Sequence, residues 1–395
     1  MTTLLRRLRR PTMFIFVLLA IEFLDEFVFG ARETAWPMIR TDLHLNYEQI
    51  GLLLSIPAFI ASLIEPALGI LGDVWKRRII VLGGGVIFML SLVLTALSQH
   101  WAVLLLSFIL FYPASGAFVH LSQSTLMDSD PARHEQNMAR WTFAGSLGVV
   151  GGSFVLIAVT AVGGDWRSLF ALSALLTLLC LMLAWRFPFT NQPDAVAITP
   201  TEFVKGIRMA LSALRRQEVI RWLVLLQFSD LMLDVLYGYI ALYFVDVVRL
   251  SEEQAGLIVA IWLGISLLGD LLLIPLLERV QGLSYLRIST VLEFVLFPAF
   301  LLVPGVIPKL FLLSLIGLFS SGWYPILAGQ LYSAMPGQSG IVMTVGNISG
   351  LVGSLIPFVI GLAAEHFGLG TAIWLLLLGP IALIVGLPRQ HDNAG

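Results

Sequence analysis

The chain has 395 residues, of which 58% are hydrophobic and only 12% are charged, and its formal net charge is −2. Soluble domains carry about 25% charged residues, so this composition excludes a soluble globular protein and indicates an integral membrane protein. A single cysteine, Cys180, excludes an internal disulfide framework. The basic N-terminal segment precedes an apolar run that holds acids at its centre and lacks a small-residue cleavage site, so we interpret it as a retained first helix.

Apolar runs of about 20 residues, enough to cross a bilayer as helices, recur twelve times along the chain. The predicted spans are 13–37, 48–74, 78–98, 101–127, 137–162, 167–187, 219–248, 253–277, 284–304, 308–334, 339–365 and 368–388. With the N-terminus in the cytoplasm, most of the 23 Lys and Arg residues fall on the cytoplasmic side. This distribution favours twelve helices with both termini inside.

The first span is unusual because it carries Glu22, Asp25, Glu26, Arg32 and Glu33. A charge at the bilayer centre costs roughly 2.5–3.5 kcal/mol, and Asp25 lies roughly 18 Å into a core about 30 Å thick. We therefore expect one face of this helix to line water. The alternative is a set of internal ion pairs that fix the bundle. Arg32 is expected to neutralise either Asp25 or Glu33.

The longest connection, 188–217, separates the sixth span from the seventh. Thr199, Pro200 and Glu202 form a capping-box pattern, and the following residues alternate apolar and basic side chains at helical spacing. We predict an amphipathic helix on the cytoplasmic leaflet, with a solvated tether as the alternative.

The chain repeats itself at an offset of 205 residues. EQIGLLL from residue 48 corresponds to EQAGLIV from residue 253, and the same offset places Asp25 on Asp230 and Glu65 on Asp270. We predict two six-helix halves, 1–187 and 218–395, joined by the 188–217 linker. Two similar halves with a central site are typical of transporters, and we expect the acidic faces around Asp25 and Asp230 to meet across that cavity.

The sequence GILGDVWKRR at 69–78, together with twelve helices and the repeat, resembles the major facilitator superfamily. The resemblance implies an all-α fold of two pseudo-symmetric six-helix bundles. FLDEF, SLIEPALGILGD and SGAFVH further resemble the fosmidomycin-resistance branch of bacterial efflux proteins. That branch has Gln at the position of Glu65, and Phe-His-Pro at the positions of 118–121, so the substrate does not carry over.

We expect proton and substrate binding from the polar groups of the central spans. These are Glu22, Asp25, Glu26, Arg32, Glu65, His120, Asp230, Asp234, Tyr237, Asp270 and Asn347, with Tyr112, Trp323 and Tyr324 as cavity aromatics. The set is mostly acidic, which suits a cationic or zwitterionic substrate. Carboxylates gathered at low dielectric constant disfavour one another's ionisation, so a protonated member can carry the proton. Internal ion pairs, interfacial aromatics and a neutral hydrogen-bonded His120 are the alternatives.

The superfamily resemblance also implies a gate between the second and third spans. The residues assigned to it are Gly69, Asp73, Arg77, Arg78, Asp128 and Arg140. In the family, the acid caps a neighbouring helix and pairs with arginine. A solvated loop is the alternative.

The sequence thus predicts a proton-coupled exporter of small amphipathic or cationic compounds, a monomer in a plasma membrane that works by alternating access. Uptake or facilitated diffusion of a metabolite is the second possibility, and a transporter-like receptor or scaffold is the third. No nucleotide loop, zinc-type His pair, serine elbow or nucleic-acid motif is found. We therefore expect neither an enzyme nor a cofactor or metal site.

Overall fold

In a computed structural model, residues 2–74, 77–129, 134–187, 189, 212–335 and 339–388 are described, and the described chain is helical without strands. It divides into two compact units, residues 1–201 and 202–395. The predicted amphipathic helix of the linker lies outside the described residues. The predicted all-α fold is confirmed.

The described residues of the first unit form seven α-helices. They are α1 (Thr2–Leu43), α2 (Tyr47–Val74), α3 (Arg77–Leu97), α4 (Trp101–Ser115), α5 (Leu121–Ser129), α6 (His134–Ala161) and α7 (Trp166–Ala184). A π-helical turn, Gly116–His120, joins α4 to α5 without a break.

The second unit follows the same plan. Its helices are α8 (Gln217–Ser229), α9 (Leu236–Asp246), α10 (Glu252–Leu277), α11 (Gly282–Leu302), α12 (Val306–Ser320), α13 (Trp323–Ala334), α14 (Ser339–Gly353), α15 (Ile356–Phe367), α16 (Leu369–Ala372) and α17 (Leu378–Gly386). A π-helical turn, Leu231–Val235, joins α8 to α9, and a 3₁₀ turn, Ile373–Leu377, joins α16 to α17.

Ten helical segments of the described chain are long and apolar enough to cross a membrane. The predicted first and seventh spans are not among them, because the first carries four acids and an arginine and the seventh is divided at Asp230. The expected end of the first span near Pro37 is wrong. The helix continues to Leu43, since Trp36 and Ile39 are fully buried and packing holds this turn despite the proline.

The residues repeated at the start of the second span of each half make the same hydrogen bonds. Asn46 and Gln49 exchange side chain-to-backbone hydrogen bonds of 3.0 and 2.8 Å. Ser251 and Gln254, 205 residues later, exchange the same pair at 3.2 Å each. Each reciprocal pair satisfies backbone N–H groups that the first turn leaves free, so the repeated glutamine closes a capping box.

Helix pairing also repeats between the units. In the first unit, α2 packs on α4, and α3 packs on both α4 and α7. In the second unit, α10 packs on α12, and α11 packs on both α12 and α17. In each half a basic side chain donates hydrogen bonds to carbonyl groups at the end of the third span, which is α3 in the first unit and α11 in the second. Arg167 donates to Ser98 O, just beyond α3, and Lys309 donates to Phe300 O and Leu301 O in the last turn of α11. A positive charge is favourable at these carbonyls.

The tightest contact of the first unit is between α1 and α6, where small residues let the backbones approach. A side chain at Gly152 would overlap Phe27 O, and one at Gly148 would overlap Phe23 O. Thr34 Oγ1 donates to Ser153 Oγ at 2.8 Å, and Ser153 Oγ donates to Gly30 O at 3.0 Å. This contact fixes the register of the acids on α1 against α6.

We expect Gly152→Ala to lower the stability of the first unit by about 1–3 kcal/mol, because the added methyl group must displace the α1 backbone. Thermal unfolding of the purified protein measures the change. Gly83→Ala, on α3, is the matched control because a Cβ there has no heavy atom within 4 Å. Equal melting temperatures for the two variants would contradict the proposed close packing.

Candidate functional site

An acidic cavity of about 360 Å³ lies within the first unit, between α1, the π-helical turn and α6. Its lining consists of Glu22, Asp25, Glu26, Val119, His120, Gln123, Trp141, Thr142, Gly145, Ser146 and Val149. Three carboxyl groups face this space, and the described residues of its lining include neither Lys nor Arg. The cavity therefore favours a positively charged or hydrogen-bond-donating occupant.

Asp25 is held at the point where α4 changes to the π-helical turn. Ser115 Oγ donates a 2.8 Å hydrogen bond to Asp25 Oδ1, and Ser115 is the last residue of α4. Single π-helical turns occur frequently at functional sites because they redirect side chains within a helix. The turn thus places a hydroxyl donor on the acid in the middle of the membrane-spanning region.

Glu65 reaches the same place from α2. A side chain at Gly116 would lie 2.9 Å from Glu65 Cγ and 3.1 Å from its Oε1, so the glycine leaves the space that the carboxyl group occupies. Arg32, Glu65 and His120 all lie within electrostatic range of Asp25. Residues predicted from three different spans therefore converge on Asp25.

Glu22 and Glu26 lie against α6. A side chain at Gly145 would lie 2.7 Å from Glu22 Oε1 and 3.2 Å from Glu26 Cγ, so this glycine makes room for both acids. Glu22 is 8% exposed, Glu26 is half-buried and His120 is exposed. Glu22 is therefore less accessible to water than Glu26, although both lie on one face of α1.

Arg32 does not line the cavity, contrary to expectation. Its Nε and Nη2 donate to Glu33 Oε1 at 2.8 and 2.6 Å, and its Nη1 donates to the Tyr112 hydroxyl at 2.7 Å. The guanidinium also lies over the rings of Phe29, Phe108 and Tyr112. The side chains of Arg32 and Glu33 are both buried, with 6% and 2% of their surface exposed.

This buried pair resolves the choice left open for Arg32, because its ion-pair partner is Glu33 rather than Asp25. Trp36 Nε1 donates to the other Glu33 oxygen at 3.1 Å. Tyr112, expected among the cavity aromatics, serves the same cluster. Arg32, Glu33 and Tyr112 thus form the internal ion-pair arrangement that was the alternative interpretation.

The second unit places its own polar groups around Asp230, where α8 ends and the π-helical turn begins. Asp230 is half-buried and Asp234 is exposed. Both lie within electrostatic range of Tyr324, which is 60% exposed. Each of the two repeated aspartates therefore lies beside a π-helical turn, although the turn belongs to α4 in one unit and follows α8 in the other.

Gln227 occupies the position that Glu22 holds in the repeat, and its environment is similar. A side chain at Gly353 on α14 would overlap the Gln227 amide, just as one at Gly145 would meet Glu22. The rings of Tyr237 and Trp262 are in contact, with centroids 4.4 Å apart and planes tilted by 33°. Asn347 is half-buried on α14, and Asp270 is exposed on α10.

Trp323 is a packing residue and not a cavity aromatic. It is fully buried, and its indole N–H donates to Ser289 Oγ at 3.0 Å. The expectation failed because a tryptophan near the centre of a span serves either purpose, and only tertiary packing distinguishes them.

The predicted gate residues are only partly visible. The side-chain surroundings of Gly69, Asp73 and Asp128 lie outside the description. Arg77 is buried, Arg78 donates to Trp185 O at 2.7 Å, and Arg140 donates to Asn137 Oδ1 at 3.5 Å. The gate stays a prediction.

The α6 wall of the cavity and the hydroxyl of Ser115 were not predicted from the sequence. Trp141, Thr142, Gly145, Ser146 and Val149 recur at helical spacing, which predicts that they share one face. That signal was available without a structure. Among the described residues, no group of three or more His, Cys, Asp and Glu side chains has an arrangement that could hold a metal ion.

Residues 15–357 match the family model described as Major Facilitator Superfamily. Over 381 residues the chain is 23% identical to "Membrane protein MosC" of Rhizobium meliloti, covering 94% of this chain and 89% of that protein. It is similar in structure to nucleoside transporter NupG, with a TM-score of 0.74, 14% identity and coverage of 95% and 98% of the two chains. It is also similar to a bacterial homologue of the human lysosomal transporter Spinster, with a TM-score of 0.70, 16% identity and coverage of 95% of each chain.

Proposed function

The chain belongs to the major facilitator superfamily, and we propose that it exports small amphipathic or cationic compounds in exchange for protons. It is a multi-pass membrane transporter and not an enzyme, as the family and the transporters of similar structure indicate. The resemblance to the fosmidomycin-resistance branch supports the outward direction. Alternating access between the halves 1–187 and 218–395, with both termini in the cytoplasm of a plasma membrane, completes the proposal.

The observation that carries this proposal is the acidic cavity of the first unit. Its described lining has three carboxyl groups and neither lysine nor arginine, so a cation gains attraction while an anion meets repulsion. The same carboxyl groups bind protons. A proton and a cationic substrate therefore compete for one set of groups, which is the chemical requirement for exchange.

Competition gives a direct binding test with a lipophilic cation such as tetraphenylphosphonium. We expect binding to weaken as pH falls, because protonated carboxyl groups no longer attract the cation. Isothermal titration of the purified protein at several pH values measures this dependence. A neutral compound of similar size should bind independently of pH.

Glu65→Gln provides a variant that keeps the shape of the side chain and removes its charge. We expect roughly 2- to 10-fold weaker binding of the cation, because the amide removes a negative charge beside Asp25 that attracts the cation from outside the cavity lining. Glu48→Gln, on the first turn of the same helix, is the matched control. Stronger binding of an anionic compound than of the cation would contradict the proposed substrate class.

A further inference from the structure

Glu293 is a buried carboxyl group apart from the acidic cavity. It lies in the middle of α11, it is fully buried, and among the described residues neither of its oxygens has a hydrogen-bond partner. No role described above uses it. An acid placed in this way requires either a counter-charge or a bound proton.

The buried face of α11 is otherwise satisfied. Ser289 Oγ accepts from Trp323 Nε1 and donates to Leu286 O, and Thr290 Oγ1 donates to Leu286 O. Phe297 and Phe300 continue the face toward the end of the helix. Glu293 is therefore the one polar group of this buried face that lacks a partner.

The charged and titratable groups of the neighbouring elements are engaged elsewhere or uncharged. Helix α11 packs on α12, α13, α17 and the 3₁₀ turn 373–377. On α12, Lys309 binds Tyr243 OH and the last carbonyls of α11, about two turns beyond Glu293. Tyr324 and Tyr332 on α13 are exposed phenols, and neither α17 nor the 3₁₀ turn carries a charged residue.

On α11 itself, Tyr285 lies within electrostatic range of Glu293, and its hydroxyl donates to Phe319 O at 2.9 Å. Arg287 lies nearer the start of the helix and donates to Pro388 O. No cation of the described elements packed on α11 neutralises Glu293. An ionised carboxylate without a partner in an apolar interior is far less favourable than the neutral acid.

We propose that Glu293 is a second proton-binding site, a carboxylic acid that keeps its proton at neutral pH in this conformation and exchanges it only when the packing around α11 opens. The site does not depend on the export proposal, since it follows from burial within the second unit. If α11 separates from α12 and α13 during transport, water reaches the carboxyl group and the proton is released. The site then couples proton release to the conformation of the second unit.

Infrared spectroscopy of the full-length protein in liposomes tests this proposal. At pH 7–8 we expect a C=O stretching band of a protonated carboxylic acid that exchanges slowly in D₂O. The band should disappear in both Glu293→Gln and Glu293→Met and remain in Glu253→Gln, which removes an exposed acid on α10. Spectra of the Glu293 variants identical to the wild type would overturn the assignment.

Thermal unfolding gives a second readout that remains usable if one variant folds poorly. Above the ordinary pKa of a glutamate, the unfolded chain has released the Glu293 proton while the folded chain still holds it. The free energy of unfolding of the wild type should therefore fall relative to that of Glu293→Met as pH rises from about 5 to 8. Parallel stability curves would contradict the proposal. If the wild-type protein shows the infrared band but exports none of the compounds, the export proposal alone is overturned.

Discussion

Asp25→Asn is expected to reduce substrate-dependent proton transport by about 10- to 100-fold, because a charge-assisted hydrogen bond contributes about 1.5–3 kcal/mol and the amide cannot bind a proton. Asp25 accepts from Ser115, lies in the acidic cavity and has Glu65 and His120 within electrostatic range. The measurement is the initial rate of compound-triggered proton flux in liposomes.

Asp42→Asn is the matched control for this prediction. Asp42 lies on the same helix outside the cavity, its side chain is 42% exposed, and it pairs with Arg167 at 2.5 Å. Such a pair contributes at most about 1 kcal/mol to stability, so the variant should fold and transport. Equal rates for Asp25→Asn and the wild type would remove Asp25 from the proton pathway.

Arg32→Met is expected to destabilise the first unit by about 3–5 kcal/mol, because it leaves the Glu33 carboxylate buried without a counter-charge. The guanidinium supplies two of the hydrogen bonds to Glu33 and one to Tyr112. Thermal or denaturant unfolding in detergent measures the loss. The double variant Arg32→Met/Glu33→Met should recover most of it, since two apolar side chains replace a buried pair at little cost.

Arg40→Met, two turns along the same helix, controls for loss of a positive charge at a less buried position. Arg40 lies over the Tyr47 ring, 4.5 Å from its centroid, and is half-buried. We expect a change of about 1 kcal/mol or less there. If the double variant is as unstable as Arg32→Met alone, the ion pair does not account for the stability of this cluster.

The sequence predicted the fold well because the length of each apolar span is a local signal. The capping role of Gln49 and Gln254 was not predicted, although each glutamine lies three residues after its cap, the spacing of a capping box. The acids of α1 had to face an interior or water, and Glu22, Asp25 and Glu26 do line the cavity. Element boundaries were less certain because packing holds α1 helical beyond Pro37.

The partners of the buried groups were not predictable, because they come from other helices. Arg32 is adjacent to Glu33 in sequence, yet Tyr112 on α4 and the rings above it decide that the pair is buried. The π-helical turn that brings Ser115 to Asp25 leaves no mark in composition or periodicity. Trp323 was misassigned for the same reason, since its partner Ser289 lies on another helix.

Exchange of a cationic compound for a proton through the acidic cavity can be tested in one assay. The most direct measurement uses the purified protein in liposomes with a pH-sensitive dye inside, an imposed proton gradient, and a panel of cationic, neutral and anionic compounds. We expect cationic compounds to trigger proton flux in the wild type, and we expect Asp25→Asn to lose it. Equilibration of radiolabelled solutes without proton flux for any compound would contradict it and would identify a uniporter.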